Sequence, residues 1–358
     1  MEQLYVIKTD WHDQVVQRAF EKIGYSPAEV HQVVRNCRAA LENGVRTHNA
    51  IKAIHLEALF GVRQGGTTCG ANILKQKRKF SAVKFWDAQK KIGPAVAYEA
   101  VDECAAMAED YGVGVVAVDN AWHYFWGGGY VLELAQRGFI GFTICTALLA
   151  EVVPYGGSKP VLGTNPHSWG LPTQEVCGFP VLVDWATSVI SMGKAQQLAR
   201  EGKSLPYQCA VNQKGNVTND PKQIAGLLPF GLHKGYGLSL INELIAGIIG
   251  GWKPTERGRF AEGYKKSSTT FLFLALHPEA IEGNFVSSDR KENLKSIVND
   301  ILCKENQGAI LPGQLEYEAR CRCQQAGGLL LTEAEFNSFN EIAKKNQLDT
   351  HSPVRYRS

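Results

Sequence analysis

A histidine and a lysine lie four residues apart in the segment 44–52, which reads GVRTHNAIK. If the chain is helical from Thr47, His48 and Lys52 lie on one face of that helix. An imidazole titrates near neutral pH and a lysine carries a fixed positive charge, so the pair suits a general acid/base beside a carboxylate anchor. The alternative is a surface helix with a solvated lysine and a histidine that only caps the helix.

A second cluster, residues 120–130, follows the apolar run Val113–Val118, which predicts a buried strand. It reads NAWHYFWGGGY, so that His123 and four aromatic residues directly precede three consecutive glycines. Such a turn lets a flat ligand approach the backbone closely, and glycines at the start of a helix can receive a phosphate. The alternative is a packed aromatic turn around a hydrogen-bonded core histidine.

Three dispersed segments combine glycine with small polar residues: Gly163–Pro166, Asp184–Ser188 and Gly231–Gly237. Each is weak evidence alone, because loops generally have this composition. The sequence contains no Gly-x-Gly-x-x-Gly after a strand, no Walker loop, no Gly-x-Ser-x-Gly and no His-Glu-x-x-His. A standard Rossmann domain, a P-loop ATPase, an α/β-hydrolase and a zinc protease are therefore disfavoured.

The elements that position these segments fall into three parts. Helical patterns fill the first 60 or so residues, with a capping box and an N1 proline at Ser26–Glu29 and a third helix expected over Thr47–Phe60. From about residue 80 to 275, helices alternate with short apolar strands. We expect helices over Pro94–Gly112, Tyr130–Gln136 and Gly235–Gly250, the last one buried, and strands at Val113–Val118, Phe139–Cys145, Val181–Val183 and Phe271–Leu276.

The chain is helical again from about Ser287, with a second capping box at Thr332–Glu335. The simplest layout is a central α/β domain flanked by a helical domain that both chain ends form. We place the boundaries so that 1–80 is the N-terminal helical part, 81–280 the central domain, and 281–358 the C-terminal helices that return to the first part.

Composition limits the function classes. With 358 residues, of which 44% are hydrophobic and 20% charged, the chain is long enough for two domains and is not a disordered polymer. A formal net charge of +3 is too balanced for a protein that depends on nucleic-acid phosphates. The longest apolar run, Phe139–Ala150, has 12 residues, fewer than the ~20 of a membrane helix.

The N-terminus and the cysteines bear on the compartment. No basic segment followed by an apolar run opens the sequence, so no secretory signal is expected. The 9 cysteines are odd in number and include no Cys-x-x-Cys, which disfavours a disulfide framework and a zinc site. We therefore expect a cytoplasmic protein without a metal site.

Taken in chain order, these segments resemble the malate/L-lactate dehydrogenase family of the non-Rossmann type. That family includes L-sulfolactate and ureidoglycolate dehydrogenases, diketogulonate reductases and cyclic imino-acid reductases. The resemblance extends from about residue 10 to 345 and rests on six motifs in one order: Arg46–Lys52, Asn120–His123, Gly163–Pro166, Asp184–Ser188, His233–Tyr236 and Leu311–Gln314.

The resemblance implies an α/β (α+β) chain with the non-Rossmann L-sulfolactate dehydrogenase-like fold, whose central sheet is largely antiparallel. It implies hydride transfer between a nicotinamide and the C2 carbon of a small anionic 2-hydroxy or 2-oxo acid. The expected cofactor is NAD, with NADP as the alternative, and the cofactor is expected on the central domain. The expected assembly is a homodimer with the active site near the subunit interface, and no nucleic acid or membrane is expected as a partner. A reductase of cyclic imino acids and a catalytically inactive nucleotide-binding homologue are the alternatives.

The resemblance also assigns roles to individual residues. His48 is expected to be the acid/base, Thr47 to hold its ring and His123 to share the proton transfer, while Lys52 and Thr164 are expected to bind the substrate. Lys234 is expected to act as a point charge on the pyrophosphate. The full set of expected cofactor contacts is His123, Tyr124, Phe125, Trp126, Gly127, Asp184, Trp185, Ala186, Met192, Gly193, Lys234, Gly313, Gln314 and Leu315.

The sequence departs from the family pattern mostly around the substrate-binding segment. Lys52 replaces an arginine and so keeps the charge but loses the planar two-pronged geometry. Arg46 and Asn49 stand where the family has aspartate and glycine. The turn that begins at His123 is one residue longer than usual, and Trp185 replaces a methionine. We expect the reaction type to be kept and the substrate to differ from malate or lactate, with Arg46 either facing solvent or supplying a second cation.

Overall fold

A computed structural model describes residues 3–76, 79–200, 202–250, 268–283 and 289–356. Its helices are α1 (Thr9–Glu21), α2 (Pro27–Glu42), α3 (Ala50–Phe60), α4 (Gly93–Tyr111), α5 (Gly127–Gln136), α6 (Gln174–Cys177), α7 (Met192–Arg200), α8 (His233–Ile249), α9 (Arg290–Ile301), α10 (Gln314–Ala326) and α11 (Glu333–Lys345). Its strands are β1 (Leu4–Ile7), β2 (Leu74–Gln76), β3 (Val83–Asp87), β4 (Val113–Ala121), β5 (Ile140–Cys145), β6 (His167–Leu171), β7 (Val181–Trp185), β8 (Ala210–Val211), β9 (Val217–Thr218), β10 (Gly226–Leu227), β11 (Thr269–Leu276), β12 (Leu329–Thr332) and β13 (Val354–Arg355).

The central part is built on a sheet of 7 strands in the order β2-β3-β4-β11-β5-β6-β7. Its pairings are antiparallel except that of β3 with β4, which α4 connects by a crossover. The middle strand, β11, pairs with β4 from Phe271 opposite Val118 to Leu276 opposite Val113. The predicted largely antiparallel central sheet is confirmed, and a Rossmann fingerprint has no place in it because that motif belongs to parallel sheets.

Helix α4 shows how local sequence sets an element of this part. Pro94 lies in its first turn, and Gly112 ends it with φ at 77° in the left-handed region. Between these ends, Val96, Val101 and Cys104 are fully buried in the core that α4 shares with β4 and β11. The predicted helix from Pro94 to Gly112 is therefore confirmed, as is the strand that follows it.

The two chain ends form one unit. Strand β1 pairs antiparallel with both β12 and β13, and α1, α2 and α11 bury apolar residues such as Phe20, Val33 and Phe339 in a common core. Both predicted capping boxes, at Ser26 and at Thr332, are present. A helical domain formed by both chain ends is thus confirmed, although its small three-stranded sheet was not predicted. The domain boundaries at residues 80 and 280 stay a prediction.

Two of the predicted elements differ in the structure. The helix expected from Thr47 begins only at Ala50, after a 3-10 turn at Arg46–His48, because Asn49 adopts an extended backbone and caps α3. Helix α8 was expected to be buried, but Ile248 is 84% exposed and its buried face is largely polar. The expected start of the last helical part at Ser287 lies outside the described residues, and α9 begins at Arg290.

Among the described residues, no helix is both long and apolar enough to cross a bilayer. The 9 cysteines are all free thiols. No group of three or more potential ligands that could hold a metal ion occurs in the described ranges.

Candidate active site

The segment with His48 is a short turn between α2 and α3. The Asn49 side chain caps α3 by accepting hydrogen bonds from the backbone N–H groups of Ile51 (3.1 Å) and Lys52 (3.3 Å). His48 therefore precedes the helix, and Lys52 lies in its first turn. The prediction that one helix face carries both residues is wrong, but Lys52 still lies close enough to lower the pKa of His48.

The His48 ring has one hydroxyl partner and is partly accessible to solvent. The distance from its Nδ1 to Thr47 Oγ1 is 3.0 Å, the contact through which Thr47 was predicted to hold the ring. Burial by the surrounding protein and, secondarily, the Lys52 charge lower the pKa of His48 to about 4. At pH 7 this imidazole is therefore neutral.

His123 lies two residues beyond the end of β4, on the aromatic turn. Its Nδ1 accepts a hydrogen bond of 2.9 Å from the Phe125 N–H, so the neutral ring carries its proton on Nε2. Phe125 makes this contact with φ at 61°, a left-handed conformation that costs a bulky residue about 1–3 kcal/mol. Burial first, then the positive charges of His48 and Lys52, lower the pKa of His123 to about 3.

The structure brings the two predicted histidines together. The ring centroids of His48 and His123 are 6.0 Å apart and the ring planes are inclined by 28°. One ring comes from the turn before α3 and the other from the end of the central sheet, so the pair lies where the two parts of the chain meet.

Glu151 is a member of this group that the sequence analysis missed. Its carboxyl lies close enough to Lys52 for the ammonium charge to oppose the burial that raises the pKa of Glu151. Its backbone is fixed by hydrogen bonds to Leu162 (2.9 Å) and from Leu227 (2.7 Å), while Leu148 packs in the same core as Ala53 of α3. The only sequence signal is a lone acidic residue that ends a long apolar run, and it belongs to no motif.

The three dispersed segments are neighbours in the structure. The Thr164 carbonyl accepts hydrogen bonds from the N–H (2.8 Å) and the hydroxyl (2.9 Å) of Thr187. The Thr187 carbonyl in turn accepts one of 3.0 Å from the Phe230 N–H, which leads into α8. The glycine-rich and small polar residues of all three segments therefore border one region.

Asn165 connects the Thr164 loop to its neighbours, a role that the sequence analysis did not predict. It is fully buried, and its Oδ1 accepts a hydrogen bond of 3.1 Å from the Ala147 N–H. Its Nδ2 donates to Glu243 Oε1 (2.8 Å) and to Ser239 Oγ (3.0 Å), both on α8. The loop that carries Thr164 is thus tied to α8 through buried polar groups.

Two of the predicted cofactor contacts, Lys234 and Trp185, lie on these neighbouring segments. Lys234 is exposed in the first turn of α8, where the helix N-terminus adds positive potential. Trp185 stacks on His167 with ring centroids 5.8 Å apart and planes 7° apart. Ala186, which follows Trp185 in the chain, is partly buried.

The aromatic turn is packed more tightly than a stacking platform requires. The side chains of Tyr124, Phe125 and Trp126 are only 1–3% exposed, so they belong to the protein core. A Cβ at Gly127 would lie 2.6 Å from Ser168 Oγ, so this glycine allows internal packing. These side chains therefore match the alternative of a packed aromatic turn. Only the backbone of the turn and His123 can contact a ligand.

Asp184 connects the turn to β7. It accepts hydrogen bonds from Trp126 Nε1 (3.1 Å) and from Ser168 Oγ (2.6 Å). The surrounding protein raises the pKa of Asp184 to about 6, although these two hydrogen bonds oppose the rise. The residue as a whole nevertheless remains exposed to solvent.

The other predicted cofactor residues lie at or next to the starts of α7 and α10. Met192 and Gly193 begin α7, and a Cβ at Gly193 would meet no atom within 4 Å, which leaves the backbone open to a ligand. Gly313 precedes α10 with φ at 89° and packs against Leu182 of β7, where a Cβ would lie 2.7 Å from the Leu182 nitrogen. Two further predicted contacts follow Gly313: the Gln314 amide is hydrogen-bonded to Leu311 and Glu318, and the Leu315 side chain is exposed.

Arg46 is partly exposed and has a carboxylate partner. Its guanidinium forms an ion pair with Glu335, at the start of α11. The two alternatives expected for Arg46, facing solvent or supplying a second cation, stay predictions. The C-terminal helix supplies a carboxylate partner that the local sequence does not reveal.

Known proteins resemble this chain over most of its length. A sequence model described as malate/L-lactate dehydrogenase matches residues 7–340. The malate dehydrogenase of Pyrococcus abyssi is 30% identical over 298 residues, which cover 80% of this chain and 79% of the relative. The Δ1-pyrroline-2-carboxylate/Δ1-piperideine-2-carboxylate reductase of Pseudomonas putida is 27% identical over 335 residues, 92% of this chain and 94% of the relative.

Among solved structures, the sulfolactate dehydrogenase of Methanocaldococcus jannaschii superposes with a TM-score of 0.77. The superposition covers 96% of this chain and 98% of that one at 24% sequence identity. The predicted L-sulfolactate dehydrogenase-like fold is confirmed by this likeness.

Proposed function

The chain belongs to the malate/L-lactate dehydrogenase family of oxidoreductases, and from this premise we propose that it transfers a hydride between NAD(H) and C2 of a small 2-hydroxy or 2-oxo acid. The observation that carries the proposal is the His48–His123 pair, two neutral imidazoles 6.0 Å apart beside the charge of Lys52. Proton transfer and anion binding at one place are what reduction of a 2-oxo acid requires.

Several of the expected cofactor residues offer groups that suit a nicotinamide dinucleotide. Lys234 and the N-terminus of α8 supply positive charge for a phosphate, and the open backbone at Gly193 permits close approach. Trp185 holds a buried Nε1–H that has no partner among the described residues and that can donate to a ligand. When bound, the nicotinamide supplies the hydride or accepts it.

We propose different roles for the two histidines. The Phe125 N–H occupies Nδ1 of His123, and a proton there would oppose that N–H. His123 therefore stays neutral and donates its Nε2–H to the substrate oxygen. His48 has only a hydroxyl at Nδ1 and can change its protonation state, so His48 takes the proton from the 2-hydroxy group in oxidation and returns it to the carbonyl oxygen in reduction.

Lys52 is proposed to bind the substrate carboxylate, with help from the Thr164 hydroxyl. A negative charge at this place favours the protonated form of His48, which the free protein disfavours. Binding of an oxo acid therefore promotes the protonation that its reduction needs.

A second candidate, reduction of a cyclic imino acid, is favoured by Glu151. A protonated imine carries a positive charge next to its carboxylate, and the Glu151–Lys52 pair offers a partner for each. An inactive nucleotide-binding protein would have no need for two histidines and a lysine converging from three elements, so we do not favour that alternative.

The resemblance to the family supports the remaining proposals: cofactor binding by the central part of the chain, a homodimer with the active site near the subunit interface, and a location in the cytoplasm. The oligomer is tested by light scattering on the purified protein. A strict monomer that turns over substrate at full rate would contradict the shared site.

The direct test of function is a substrate panel. The protein is incubated with NADH or NADPH and with 2-oxo acids, including a sulfonated one, and five- and six-membered cyclic imino acids, while absorbance at the nicotinamide band is followed. We expect oxidation of NADH by at least one compound that carries a carboxylate beside the reducible carbon. Tight nicotinamide binding without reduction of any member of the panel would leave the inactive alternative standing.

A further inference from the structure

One carboxylate joins the C-terminal helix α11 to the turn that carries His48. Glu335 accepts a hydrogen bond of 3.1 Å from Asn49 Nδ2 on Oε1 and forms an ion pair with Arg46 through Oε2. Arg46 and Asn49 immediately flank Thr47 and His48. The residues on both sides of the Thr47–His48 pair therefore bind the same carboxylate, that of Glu335.

Asn49 carries the connection further into α3. Its Nδ2 donates to Glu335, while its Oδ1 accepts the backbone N–H groups of Ile51 and Lys52. Displacement of Asn49 would release the first turn of α3 and with it Lys52. The Glu335 carboxylate thus controls the placement of both the proposed acid/base and the proposed carboxylate anchor.

The other partners of Glu335 keep the carboxylate in place. Its Oε2 accepts hydrogen bonds from the Thr332 N–H (2.9 Å) and hydroxyl (3.0 Å), which form the capping box of α11. The side chain of Glu335 is only 15% exposed. A largely buried ion pair in a rigid cap fixes geometry better than an exposed one, whose side chains remain mobile.

The His48 turn needs such external support. A 3-10 turn of three residues has few internal hydrogen bonds of its own. Thr47 is exposed and His48 is only partly buried, so packing alone does not fix the turn. Arg46 and Asn49, the two residues that link Glu335 to this turn, are both positions at which the sequence departs from the family pattern, so the connection comes with those departures.

We propose that Glu335 is a positioning residue, which sets the His48 turn and the start of α3 through Arg46 and Asn49 without touching substrate or cofactor. The role in catalysis rests on the proposed function, whereas the role in placing His48 does not. The two are therefore separated by one measurement on the free protein and one on turnover.

The test compares Glu335→Gln with Thr332→Ala. Glu335→Gln removes the charge that Arg46 binds and weakens all four contacts. Thr332→Ala removes only the hydroxyl of the cap and leaves the contacts to Arg46 and Asn49 in place. Both variants should lower the melting temperature, so a loss of stability alone does not distinguish them.

The first readout is the titration of the His48 ring by histidine NMR on the free protein, with His48→Asn to assign the signal. Loosening the turn admits water, which relieves the burial that lowers the pKa of His48, so in Glu335→Gln this pKa moves up toward its ordinary value. The groups that face His48 from neighbouring elements, Lys52 on α3 and His123 beyond β4, are unchanged in both variants. Thr332→Ala should titrate like the wild type.

The second readout is turnover. Glu335→Gln should lower kcat at least tenfold and move the acid limb of the pH profile upward, with the Kd for NADH unchanged, while Thr332→Ala keeps wild-type kcat. If Glu335→Gln does not fold, Arg46→Gln, which has no part in the cap, should show the same changes to a smaller extent. An unchanged His48 titration in a folded Glu335→Gln or Arg46→Gln overturns the proposal; a shifted titration in a protein whose wild type reduces nothing leaves the placement intact and removes only the proposed function.

Discussion

The imidazole rings of His48 and His123 lie 6.0 Å apart, yet only His123 has its Nδ1 occupied by a backbone N–H. This asymmetry makes the two rings chemically different although the same burial and the same Lys52 charge act on both. One ring is locked as a hydrogen-bond donor and the other is left to exchange a proton.

Substitution of the two histidines should therefore have unequal effects. His48→Asn removes the group that carries the proton and should lower kcat by about 10²–10⁴, the usual contribution of general acid–base catalysis. His123→Asn retains an N–H donor and should lower kcat by a smaller factor. Steady-state kinetics with the best substrate of the panel measures both, and NADH fluorescence titration should give wild-type affinity in each variant. Wild-type kcat in His48→Asn would show that a group other than His48 transfers the proton.

Lys52 and Glu151 should respond differently to the class of substrate. Lys52→Ala should cost on the order of 2–5 kcal/mol in transition-state binding for either class, and Lys52→Arg should change KM several-fold. Glu151→Gln removes a carboxylate that competes for Lys52, so KM for a 2-oxo acid should fall. For a cyclic imino acid, Glu151→Gln removes the partner of the cationic nitrogen and kcat/KM should fall.

The comparison of the two substrate classes is its own control, because a general structural defect would affect both in the same direction. Equal factors for the oxo acid and the imino acid in Glu151→Gln would show that this carboxylate takes no part in recognition. Unaltered kinetics in all Lys52 variants would show that another residue binds the substrate carboxylate.

The sequence predicted most of the fold because its strongest signals are local. Pro94 and Gly112 delimit α4, and the boxes at Ser26 and Thr332 delimit α2 and α11, since capping requires particular residue types within one turn. The short strands β1, β12 and β13 escaped prediction because a strand of a few residues is defined by its distant partners. The exposed face of α8 escaped for the same reason, because burial depends on what packs against a helix.

The candidate site was predicted in its parts but not in its connections. Family motifs supplied His48, Lys52 and His123, and the structure places them together. Glu151 belongs to no motif, and Glu335 was recognised only as part of the capping box of α11. Their contacts with Lys52 and Arg46 span about 100 and 290 positions of the chain. Local pattern carries no information about pairs so far apart in the sequence.

Folding stability should depend on the two histidines at acidic pH. Their pKa values in the folded protein, about 4 for His48 and about 3 for His123, lie below the ordinary value of 6.5. As pH falls below 6.5 the unfolded chain binds protons that the folded protein does not, so stability is lost downward from 6.5 toward pH 4 and 3. Each histidine contributes a slope of up to about 1.4 kcal/mol per pH unit, reduced by its partial exposure.

Urea denaturation between pH 4.5 and 7.5 measures this slope. His123→Asn should have a shallower slope than the wild type below pH 6.5, and His31→Asn, at an exposed position on α2, controls for loss of a histidine as such. The carboxyls with raised pKa values, such as Glu133 and Glu151, contribute with the opposite sign and cancel in the comparison of variants. A wild-type slope in His123→Asn would mean that this ring is protonated alike in the folded and unfolded states.

Cofactor affinity should depend on Lys234. The side chain is exposed in the first turn of α8, so solvent weakens its attraction to a phosphate. The helix N-terminus adds positive potential at the same place. Exposed charge pairs contribute up to about 1 kcal/mol, and Lys234→Ala should therefore raise the Kd for NADH by about fivefold. The increase should shrink at high salt, because screening weakens surface pairs. Fluorescence titration of Lys234→Ala against Lys222→Ala, an exposed lysine in the turn before β10, measures it. Equal Kd values for the two variants and the wild type would show that Lys234 takes no part in cofactor binding. The phosphate would then be bound by the backbone at the start of α8 alone.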